Sequence, residues 1–176
     1  MTRLHTTPFR TLAALSLAAL LAACGGGDDE ISTAAAAGGG TLTLSATTPG
    51  DLATTIDLST ATAKGTNGRA ADSFSSVPYC EIFWENANGA NGKKYAVQVY
   101  YRQDNKLPLH VSVFEVTTAW GVYNNDGGAT ISGITIDSTA RTAVFNNQVL
   151  AGAATEAGTL AGTASFGSST TAACGA

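Results

Sequence analysis

The sequence predicts an all-β domain, an antiparallel β-sandwich-like fold or open barrel. Three observations carry this. Segments with period-two alternation recur every 8–12 residues, Gly- and Asn-rich turns separate them, and no helical periodicity appears after residue 24. Ten of the thirteen aromatic residues fall between Phe74 and Tyr123, which places the organising core there. Residues 41–176 suffice for one such domain and are thin for two.

TLTLS (41–45) alternates Thr with Leu, the pattern of a half-buried strand. DLATTIDLST (51–60) is a weaker strand, and AKGTNGRAADS (63–73) reads as a loop. YCEIFWE (79–85) reads as a strand ending in a Gly/Asn loop, NANGANG (86–92). In KYAVQVYYR (94–102), Tyr95, Val97, Val99 and Tyr101 share one face, while Ala96, Gln98, Tyr100 and Arg102 share the other. LHVSVFEVTTAWGVY (109–123) reads as one long strand bent at Gly121, followed by the turn NNDGG (124–128). ATISGITID (129–137) and TAVFNNQVLAG (142–152) flank a turn at 137–139, and TLAGTASF (159–166) closes the series.

The first 23 residues have a different composition. Arg3 and Arg10 precede TLAALSLAALLAA, an apolar run of about twelve residues, too short for the roughly twenty that span a bilayer. This is the layout of an export signal. Leu21-Ala22-Ala23-Cys24 resembles the lipobox of bacterial lipoprotein precursors. The resemblance covers residues 1–24 only. It implies diacylglyceryl transfer to the Cys24 thiol and cleavage before it, leaving residues 1–23 as signal peptide. Two acyl chains meet the usual requirement for stable anchoring. Residues 24–40, with GGGDDEISTAAAAGGG after the cysteine, read as a flexible tether about 22 Å long on average. Gly25 rather than Asp after the cysteine favours the outer membrane over the inner, with the periplasmic or outer face left open.

Without residues 1–23 the chain keeps seven basic and thirteen acidic residues, a formal charge of −6. Such a balance disfavours nucleic acid, which needs clustered Lys and Arg, so membrane association falls to the lipid. Cys80 and Cys174 form an even pair in an exported chain and read as one disulfide, with two buried free thiols as the alternative.

Residues able to carry chemistry are sparse. His110 sits in a strand with Ser112, Phe114 and Val116 on its face, and a triad would need partners supplied by folding. Glu81 and Glu85 share a strand face as a candidate carboxylate pair, or as an ordinary solvated face. Asn124, Asn125 and Asp126 offer oxygens for calcium but suit a tight turn as well. No His/Cys cluster, cofactor motif or catalytic set emerges, so neither metal nor cofactor is expected. Trp84, Tyr100, Trp120 and Tyr123 are the candidate ligand platform, since such rings pair flat apolar area with a polar handle. The expectation is a non-catalytic envelope module, binding or structural, that engages an envelope protein. The alternative is a carbohydrate binder or hydrolase.

Overall fold

The structure, a computed structural model, describes residues 38–125 and 131–175. The signal segment, Cys24 and Asp126 lie outside the described residues. Ten antiparallel strands are present among them: β1 (Gly40–Thr48), β2 (Thr54–Asp57), β3 (Ala63–Arg69), β4 (Tyr79–Gly89), β5 (Lys94–Arg102), β6 (Pro108–Glu115), β7 (Gly121–Asn124), β8 (Ile134–Asp137), β9 (Thr142–Ala151) and β10 (Ala157–Ser165). The ladder runs β10-β1-β2-β4-β5-β6-β7-β9, and β9 pairs back onto β10. Eight strands therefore close into a barrel, which leaves no free edge around the main circuit.

Two of the eight strands are short, and each shares its long neighbour's edge with an accessory strand. β2 pairs β4 only at Ile56–Gly89 and Asp57–Asn88, while β3 pairs the rest of β4, from Glu85 back to Tyr79. On the opposite side β7 meets β9 only at Tyr123–Ala151, while β8 pairs residues 142–145.

The interior follows the period-two pattern. Leu42 and Leu44 of β1, Cys80, Ile82 and Trp84 of β4, and Tyr95, Val97, Val99 and Tyr101 of β5 are buried in one core. Val111, Val113, Val122, Leu150 and Leu160 complete its wall. Curvature comes from register shifts: Ala46, Asn86 and Asn147, at φ 49°, 55° and 52°, sit in shifts of β1, β4 and β9, and Gly162 of β10, at φ +128°, borders the last. Gly162 is required twice over, because a Cβ there would stand 2.4 Å from the Thr41 carbonyl oxygen.

Several elements depart from their sequence reading. Residues 63–69 form β3 rather than a loop; they lack apolar alternation because they lie against one half of β4, and a Cβ on Gly68 would collide with Thr171. β4 continues to Gly89 through the shift at Asn86, so the turn spans residues 90–93. The predicted strand 109–123 is a hairpin, β6 and β7. Its turn is built by the Glu115 carboxylate, whose Oε1 accepts from the Thr117 N–H and hydroxyl. Residues 51–60 split into the short β2 between two single 3-10 turns. Gly38 and Gly39 already belong to the fold, since Ser165 donates to Gly39 O and its hydroxyl receives the Gly39 N–H.

One end of the barrel is closed by the C-terminal strap, residues 166–175. Cys174 is disulfide-bonded to Cys80 with a Cα–Cα distance of 5.7 Å, and both residues are fully buried. Thr66 donates to Gly167 O, Tyr101 to Cys174 O, and the Lys106 ammonium to Ala173 O. The strap thus fills the space where β3 diverges from the barrel.

Candidate functional site

Cross-strand partners in a β ladder point to the same side, so the register fixes what the outer wall carries. One row across β3, β4, β5 and β6 reads Asn67, Glu81, Tyr100, His110. The next reads Gly65, Phe83, Gln98, Ser112 and, on β7, Tyr123. Arg69 and Tyr79 stand at the end of this wall.

The loop 70–78 folds Phe74 onto the wall. Asp72 organises that loop, its Oδ1 accepting from the Phe74 and Ser75 N–H groups and its Oδ2 from the Tyr79 hydroxyl at 2.9 Å. Four rings then converge. The Phe74 centroid lies 5.2 Å from Tyr100, edge-on, and 5.4 Å from Tyr79, and Tyr100 lies 4.9 Å from His110. Edge-on and tilted contacts at this spacing suit the quadrupoles of the rings.

Polar groups brace the cluster. The Arg69 guanidinium donates from Nε and Nη2 to Glu81 Oε2 at 3.1 and 2.8 Å, on a carboxylate that is mostly buried. The Ser75 N–H, the Tyr79 hydroxyl and the Phe74 N–H hold Asp72 below the usual carboxylate range. Burial, then the bond to Asp72, pushes the Tyr79 phenol up to about 12. Burial and the nearby Glu81 raise Tyr100. His110 is lowered by burial, against the opposing influence of Asn125 and Glu81, so its neutral form is favoured. Its Nδ1 contacts Asn125 Oδ1.

The four platform candidates are not brought together. Tyr100 lies in the cluster and Tyr123 on the same wall, 36% exposed. Trp84 has the interior parity of Cys80 and Ile82 and is fully buried, while Trp120 packs at the barrel mouth with its indole N–H donated to Thr48 O at 2.9 Å. Trp84 is therefore a core residue, because on β4 the outward positions are Tyr79, Glu81, Phe83 and Glu85, and Trp120 belongs to the mouth. Glu81 and Glu85 do share the outer face, but Arg69 holds Glu81 while Glu85 is exposed. Cys80 and Cys174 are bridged.

Phe74, Tyr79, Arg69 and Asp72 were missed. The signal was present in part, since fixing Trp84 as interior forces Tyr79 outward. Nothing in residues 70–78 announces that Phe74 folds back.

Chemically, the wall offers ring edges, a neutral imidazole and a braced carboxylate. Ser112, two residues along β6 on the face of His110, is fully buried. Among the described residues no group of three or more His, Cys, Asp or Glu is placed to hold a metal ion. No protein-family profile, no curated protein and no solved structure matches this chain.

Proposed function

We propose that this chain is a lipid-anchored binding module of a bacterial envelope, whose outer wall over β3–β7 engages another envelope protein. The lipobox-like Leu21–Cys24 supports the anchor, with the lipid on Cys24 and the outer membrane as the favoured site. One observation carries the binding role. Four rings, Phe74, Tyr79, Tyr100 and His110, meet on one wall, and exposed apolar side chains extend it: Phe114 at 40%, Val116 at 46% and Tyr123 at 36%. Aromatic-rich apolar surface with a polar rim is the composition of protein interfaces. The opposite wall, over β1, β9 and β10, carries Thr41, Thr43, Thr159, Thr163 and Val149 and, among the described residues, no ring.

Two experiments test the parts separately. Intact-mass analysis of the mature chain is expected to show acyl mass on Cys24, and Cys24→Ala to release the protein from the membrane fraction. Photocrosslinkers at Phe114 and Tyr123 in living cells are expected to trap one reproducible protein, and one at Thr163 none. Capture of glycan alone, or calorimetric heat with cell-wall glycans that Phe74→Ser abolishes, would replace the protein partner with a carbohydrate.

A further inference from the structure

The row of the outer wall beyond Phe83 and Gln98 carries a trough. On β4, Glu85 and Asn86 both stand in the register shift between the pairs Trp84–Val97 and Ala87–Tyr95, so both lie opposite Ala96 of β5. Ala96 pairs with Phe114 of β6, and Phe114 with Gly121 of β7. Small residues thus flank the largest one in the row. Phe114 leans onto Gly121, where a Cβ would stand 2.3 Å from its ring, and this turns the ring away from Ala96. What opens above Ala96 is a groove of about 270 Å³, lined by Glu85, Asn86, Ala96, Gln98, Phe114 and Val116. Two strand spacings, about 10 Å, separate Glu85 on one bank from Phe114 on the other.

The charges around the groove are committed, apart from one. Glu81 is held by Arg69, and Lys94, on the same face of β5 as Ala96, contacts Asn88 Oδ1. The Asn86 amide donates to the Thr62 hydroxyl at 3.0 Å. The Glu85 side chain is exposed and has neither ion pair nor hydrogen bond among the described residues, and the Gln98 amide has no hydrogen bond among them either. The groove therefore offers a free carboxylate, a free amide, a ring 40% exposed and the aliphatic Val116. A guanidinium complements that set. It is flat, it forks onto a carboxylate through two parallel N–H bonds, and it stacks on an aromatic face. Its methylene stem suits an apolar bank. An ammonium is a point charge and would use the carboxylate without the plane of the ring.

We infer that this groove seats an arginine side chain of a protein partner. The guanidinium lies between the Glu85 carboxylate and the Phe114 ring, Gln98 Oε1 accepts a further N–H, and the stem runs along Val116. The inference rests on the reading of the outer wall as a protein interface and adds its chemistry: the partner is basic where it meets β4–β6. Arginine is among the side chains that most often anchor such interfaces.

Amide NMR of the full mature chain in detergent, titrated with N-acetylargininamide, N-acetyllysinamide and N-acetylcitrullinamide, reads the groove without the partner. The arginine compound is expected to shift the Ala96 and Phe114 amides saturably, the lysine compound more weakly, and the neutral citrulline isostere not at all. Glu85→Gln, and Ala96→Leu, which fills the floor, are each expected to weaken the arginine compound by about threefold or more. Asp104→Asn, beyond the far end of β5, should leave it unchanged. In cells, Glu85→Lys is expected to cut the protein adduct of a photocrosslinker at Tyr123 by about threefold or more. Equal shifts from citrulline, lysine binding as tightly as arginine, or arginine binding that Glu85→Gln leaves intact would overturn the inference. An adduct at Tyr123 that Glu85→Lys leaves undiminished overturns it as well, while the wall keeps its partner. No adduct at Tyr123 in the native chain removes the wall's partner and this inference together.

Discussion

His110 shows how one side chain reports the character of the wall around it. The fold favours its neutral form by removing the ring from water, so the folded value lies below the ordinary 6.5. As pH falls through about 6.5, the unfolded chain takes up a proton that the folded chain resists. Stability therefore drops, and the loss levels off once folded His110 protonates as well. Denaturant midpoints at pH 7.5 and pH 5 are expected to fall further for the native chain than for His110→Gln. Trp84 is the corresponding test of the interior. It is fully buried, and its indole N–H has no hydrogen-bond partner among the described residues. Trp84→Ala is expected to cost about 3–5 kcal/mol through lost contact and a cavity. Trp84→Phe should cost well under half of that, because it also deletes an unsatisfied donor. Thermal melting of the two variants separates these effects.

At the level of single elements, register shifts and close backbone approaches decide where strands bend. Gly162→Ala would place a methyl 2.4 Å from Thr41 O at a φ of +128°, and is expected to cost about 1–3 kcal/mol or more. Gly50→Ala, where nothing lies within 4 Å, is the matched control and should stay within about 0.5 kcal/mol. Chemical denaturation measures both. These elements also show what could be read from residue order. TLTLS and KYAVQVYYR declared their inward residues because each has one wet and one dry face. β3 did not, since its Gly65, Asn67 and Gly68 carry no apolar signal and its place is set by β4 and the strap. The hairpin at 116–120 was hidden because Thr and Ala punctuate weakly, and the carboxylate of Glu115, itself a strand residue, builds the turn. Half of the expected aromatic platform was legible. Tyr100 and Tyr123 face outward, whereas Trp84, equally good as platform or core, went to the interior and Trp120 to the barrel mouth.

At the scale of the whole described domain, the ladder is closed and the strap 166–175 is joined to β4 by a disulfide. The Cys80–Cys174 bond closes a separation of 94 residues, which in the chain-entropy picture contributes up to about 4.6 kcal/mol. The Cys80→Ala/Cys174→Ala double variant is expected to lose about 2–5 kcal/mol in urea melts. The strap should become protease-sensitive before the barrel does, which limited proteolysis with mass spectrometry would register. Mild reduction of the native chain should act slowly, since both half-cystines are fully buried.

Gly38, where the described chain begins, nestles against Phe166, and Phe166 in turn abuts Gly175. Entry and exit thus share the sealed pole. Opening the Cys80–Cys174 bond would therefore loosen the first and the last described residues together, while leaving the Trp120 end of the barrel in place.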